Sequence, residues 1–163
     1  MLRPIIEALG FMKAEHPNLE RLLDIFDAGA ENDWHDLVYQ FGDIHQALLL
    51  FPIFFPNLIE VEGHVVLEQY IDAEGGKSRL KELLANGERG TREVLSGYRW
   101  LEVAAQFSLL GSVNDDDIEA LANLMAKSWL THLRSCYPGG NWSTRILSPS
   151  ETGMYIGVAF DET

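Results

Sequence analysis

The chain is poor in the features that usually reveal a function. It has one cysteine, Cys136, so no disulfide can form within it, and a reducing, cytoplasmic location is the expectation. No apolar run approaches the ~20 residues needed to span a bilayer; the longest, Ala47 to Phe55, is interrupted by Pro52. The opening MLRPIIEALGFMKAEHP carries one Arg and a short apolar stretch before Lys13, less than the apolar core of an export signal. Basic residues are scarce: 12 Lys and Arg stand against 25 Asp and Glu, a formal net charge of −13. Such a surface repels phosphate, which disfavours nucleic acid and anionic membranes as partners. Cofactor signatures are also missing. There is no Rossmann glycine pattern, no Gly-x-Ser-x-Gly, no EF-hand loop, no zinc knuckle and no His-Glu-x-x-His. No cofactor is expected.

What is present suffices for a core. A hydrophobic share of 47% over 163 residues is that of an ordinary globular chain, and the expectation is one globular domain over residues 1–163. The periodicity predicts helices from Leu2, from Pro17 and from Asn32 or Asp33, the third with Trp34, Leu37, Val38, Phe41, His45 and Leu48 on its stripe and Pro52 as its stop. Two prolines flank Ile53 to Phe55 and exclude a regular helix there. A hairpin or bent strand is expected near residues 58–71, and a short basic-faced helix over Ser78 to Leu84. Apolar residues on most faces after Thr91 predict a buried central helix reaching Leu110. Asn114 should open the next helix, whose Asp115, Asp116 and Asp117 suit a helix start and whose Arg134 suits its end. Pro138-Gly139-Gly140 ends it. A β-hairpin from Trp142 to Phe160 closes the chain. The fold class is α+β, predominantly helical, with a C-terminal hairpin.

Few residues carry chemistry in their spacing. Gly75-Gly76-Lys77-Ser78 follows a strand-like run and precedes a helix, but Ile71 stands where a phosphate loop needs its first glycine. Lys77, Arg79 and Lys81 are therefore read as a solvated helix face. Glu60, Glu62 and His64 alternate, so an unbroken strand would place two carboxylates and an imidazole on one face, a donor set for a divalent metal; Gly63 threatens that alternation. His132 and Cys136 share one side of a helix near its C-terminus, where the dipole opposes a thiolate, and Cys136 is read as a plain buried thiol. His45, on the apolar stripe, is read as a core histidine. Trp142, after two glycines, is the tryptophan expected at the surface, and Phe51, Ile53, Phe54 and Phe55 are expected either to plug the core or to form a contact surface.

In size, charge and layout the chain is similar in outline to small bacterial proteins, some of which serve as immunity partners of secreted toxins. No motif carries that analogy. Three functions remain as expectations. The first is a non-catalytic acidic protein that binds a basic protein, such as a toxin it inhibits, with Phe51, Phe54, Phe55, Trp142, Asp115 and Asp116 as candidate contacts. The second is a small metal-dependent hydrolase using Glu60, Glu62 and His64. The third is a structural homodimer subunit.

Overall fold

The computed structural model describes residues 42–71, 75–87, 89–103, 115–153 and 155–163. The chain divides into two compact units, Met1–Leu49 and Leu50–Thr163. The helices expected before Phe41, with Trp34, lie outside the described residues.

Helix α1 (Ile44–Phe54) opens at Asp43, whose carboxylate accepts the backbone N–H of His45 at 2.7 Å. The part of the expected stripe from Trp34 to Phe41 lies outside the described residues. The His45 side chain is 85% exposed beside Asp43, not in the core. Nor does Pro52 end the helix. It lies within α1, which continues to Phe54. Proline removes one helical donor and crowds the preceding turn. Here the helical bonding continues past it, Phe55 N–H reaching the Phe51 carbonyl, and the Trp129 indole donates from outside to the Ile53 carbonyl at 2.7 Å. Ile53 and Phe54 pack half-buried against the core.

Strands β1 (Leu58–Val61) and β2 (His64–Leu67) form the expected hairpin, with Val61 opposite His64. The two turn residues, Glu62 and Gly63, both have positive φ, 51° and 78°, the conformation that matches strand twist in a two-residue hairpin. The pleat splits the hairpin between two apolar clusters. Leu58, Val65 and Leu67 face one; Ile59, Val61 and Val66 face the other. The second cluster is completed by α2 (Gly76–Asn86) through Leu80 and by α3 (Thr91–Ser96) through Val94 and Leu95.

The long central helix expected after Thr91 is not formed as far as Val103, and its remainder to Leu110 lies outside the described residues. Helix α3 stops at Ser96, backbone bonds from Gly97 and Tyr98 close a turn, and Trp100–Glu102 is a strand, β3. The short run Trp100 to Val103 fits either period, since burial of Leu101 and Val103 with half-exposure of Trp100 and Glu102 is an alternation of two. The long helix is α4 (Asp115–Cys136), with three aspartates in its first turn and Arg134 in its last. It buries Ala122, Met125, Trp129 and Leu133.

After α4 come β4 (Trp142–Leu147), a single helical turn α5 (Pro149–Thr152) and β5 (Gly157–Glu162). The segment expected as a plain loop is thus a turn, fixed by reciprocal bonds of Ser148 and Glu151 with Pro149 at its first position. Strand β5 is central in an antiparallel sheet ordered β3-β5-β4. Helix α4 packs against the sheet, and Phe160 meets Trp129 and Trp142 edge-on, each at 6.1 Å. Trp142 is 4% exposed, which corrects its surface assignment. Its indole donates to the Tyr137 carbonyl, so the ring turns inward over the end of α4. The class is α+β, and no helix among the described residues is long and apolar enough to cross a membrane.

Candidate functional site

The hairpin separates the proposed metal ligands. Glu60 pairs with Val65 and His64 with Val61, so the two side chains leave opposite faces of the ribbon. Glu62 sits in the turn, where its carboxylate pairs with Lys81 and is held below the usual carboxylate pKa by that hydrogen bond and charge. The three do not converge. Among the described residues, no group of three or more His, Cys, Asp or Glu side chains could hold a metal ion.

The candidate contact residues lie in different settings. Phe51 and Phe55 are exposed and stack at 5.0 Å, while Phe54 turns inward. Trp142 belongs to the core. Asp115 and Asp116 are exposed at the start of α4. Helical geometry puts Asp116, Glu119, Asn123 and Leu124 on the outward face of α4; Leu124 is half-exposed.

Cys136 is exposed, not buried. It lies in the last turn of α4, whose buried stripe ends at Leu133, and its Sγ is 3.7 Å from Nδ1 of His132. Nε2 of His132 lies 3.1 Å from the Pro56 carbonyl, which can only accept, so that nitrogen carries the proton and Nδ1 faces the thiol. The pair borders a cleft of about 400 Å³ with Glu68 and Tyr137 on its wall.

Two further clefts adjoin at Ser96 and Gly97. One, about 700 Å³, is bounded by the N-terminus of α2 at Gly75 and Gly76, by Arg79 and Arg89, and by Tyr70 and Tyr98. Arg89 lies 3.7 Å from Glu93. The other, about 210 Å³, is formed by β3, β4, β5 and α5. Arg99 lies in its wall with only 5% exposure. Its Nε donates to the Val65 carbonyl at 2.8 Å, and its Nη2, 3.7 Å from Glu162, has no hydrogen bond. Burial pushes the guanidinium pKa down, against the opposing charges of Glu162 and Asp161. At the mouth, Arg145 bonds Glu151 at 2.9 Å and Asp161 at 3.4 Å.

Sequence reasoning did not find this arginine-lined surface. Arg99 was visible only as part of a polar strip on a helix that does not extend to it, and Arg145 reaches its partners through strand pairing and the α5 turn. The chain matches no family model, no curated protein and no solved structure.

Proposed function

We propose that the chain is a non-catalytic binding protein that engages a basic protein through the outward face of α4. One observation carries this: three exposed carboxylates, Asp115, Asp116 and Glu119, gather in the first turns of α4 with no basic group within 4 Å among the described residues. The helix dipole accounts for aspartates in the first turn. It does not account for Glu119, nor for Leu124, an exposed apolar side chain further along the same helix. The net charge of −13 would steer a cationic partner to such a surface. Inhibition of a basic toxin in the cytoplasm is the narrowest form of this reading, and the free thiol of Cys136 suits that reducing compartment.

The test is affinity capture from the source cell at low and high salt, with the chain and with an Asp115→Asn, Asp116→Asn, Glu119→Gln variant. The expected result is a basic partner held at low salt, released at high salt and lost with the variant. Capture that ignores both salt and the substitutions would overturn the proposal.

A homodimer subunit is a second reading, favoured by the exposed Phe51–Phe55 stack. Light scattering at rising concentration tests it, and a constant monomer mass would remove it.

A further inference from the structure

The end of α4 places a nucleophile beside a base. Cys136 is exposed in the last turn. Its Sγ lies 3.7 Å from Nδ1 and 3.9 Å from Nε2 of His132. The Nε2 proton is engaged by the Pro56 carbonyl at 3.1 Å, and the ring meets Phe55 edge-on at 5.8 Å. The imidazole is therefore held with Nδ1 as its free acceptor. A thiol attacks through sulfur as its proton leaves, and Nδ1 is the group placed to take it.

The cleft of about 400 Å³ in front of the pair selects by charge. Glu68 stands in its wall with no cationic group within 4 Å among the described residues. The C-terminus of α4 adds the negative end of a helix dipole, and the net charge of −13 has the same sign at longer range. The basic residue of the last turn, Arg134, is two positions from both His132 and Cys136 and so leaves the helix on roughly the opposite side. An anionic reagent is repelled from this cleft, and a cationic one is drawn into it.

We propose that Cys136 is a thiol-exchange site for the disulfides of small aminothiols, the ammonium group of the reagent seated on Glu68. Sγ attacks one sulfur of the disulfide while its proton passes to Nδ1 of His132. The bond from Cys136 to that sulfur forms as the reagent's sulfur–sulfur bond breaks, and the departing sulfur recovers the proton and leaves as a free aminothiol. The incoming disulfide is itself the oxidant, and excess thiol reverses the reaction. The site is at the opposite end of α4 from Asp115, Asp116 and Glu119 and does not depend on a protein partner there.

The test measures mixed-disulfide formation by the full chain with cystamine, which is cationic at both ends, and with the neutral disulfide of mercaptoethanol. The ratio of the two rates is compared with that of the urea-unfolded chain, which keeps the thiol but not the cleft. The native ratio should exceed the unfolded one about fivefold at low salt and fall toward it at about 0.5 M salt. Glu68→Gln, a substitution in the cleft wall, should bring the native ratio down to the unfolded one. His132→Gln, read where circular dichroism shows the fold intact, should slow both reagents about tenfold and leave their ratio in place. The proposal is overturned if the native and unfolded ratios agree, if Glu68→Gln leaves the native ratio unchanged, or if His132→Gln leaves both rates unchanged.

Discussion

The indole N–H of Trp129 donates to the Ile53 carbonyl at 2.7 Å, joining residues 76 apart in sequence. One end of the bond is the centre of the α4 core stripe. The other is a carbonyl in the turn that follows Pro52. The bond therefore anchors the end of α1, pairing one of the carbonyls that the last turn of a helix leaves free. Replacing Trp129 with Phe keeps an aromatic ring but leaves that carbonyl without its donor and opens space beside Phe160. The expected loss is about 2–3 kcal/mol in urea unfolding, with the m-value unchanged. A loss below about 0.5 kcal/mol would mean that the bond does not hold the end of α1.

Gly140 and Gly139 make a matched pair. A Cβ on Gly140 would lie 2.4 Å from the Trp142 indole, whereas one on Gly139 would meet nothing within 4 Å. The indole cannot give way, because it is 4% exposed and bonded to the Tyr137 carbonyl. Gly140→Ala should destabilise the fold by about 1–3 kcal/mol, and Gly139→Ala should stay within about 0.5 kcal/mol. Equal effects on thermal unfolding would contradict the inward placement of Trp142.

Helix α4, the β1–β2 hairpin and the closing hairpin were legible because each has a period and a boundary of its own. In α4 the aspartates, the apolar stripe and Pro138 agree, and in the first hairpin Glu62-Gly63 separates two β-branched runs. The elements that misled were those decided by distant partners. Trp100 to Val103 satisfies helical and strand periods alike, and β5, more than fifty residues away, selects the strand. Pro52 reads as a stop, yet α1 runs two residues past it and its end is anchored by a donor from another helix, Trp129. The arginine-lined cavity was illegible for the same reason. Arg99, Arg145 and Asp161 meet only once β3, β5 and β4 are in register, and no spacing along the chain records that.

Cys136 tests the end of α4 directly. As an exposed thiol beside His132 it should react with a disulfide reagent such as Ellman's in the native state, to one equivalent per chain, without denaturant. A thiol buried in the core would react only as the chain unfolds. Native labelling that tracks urea-induced unfolding would therefore place Cys136 inside and refute its position on the outer side of the last turn.

The Ser148–Glu151 turn gives stability a pH dependence with a definite sign. The Ser148 backbone N–H and hydroxyl donate to the Glu151 carboxylate at 2.9 and 3.0 Å, and Arg145 bonds its other oxygen. These contacts hold its pKa below the ordinary value of 4.5, the backbone bond from Ser148 contributing most. The unfolded chain binds the proton more readily, so the stabilisation is complete above 4.5 and is lost as pH falls through the lower, folded-state value. Glu151→Gln keeps an acceptor for Ser148 but cannot ionise. The native chain should unfold at a higher temperature than Glu151→Gln near neutrality, with a constant difference between about pH 5 and 7 that shrinks as the medium is acidified further. A difference that stays constant down to about pH 3 would show that the carboxylate's charge is not what secures the turn.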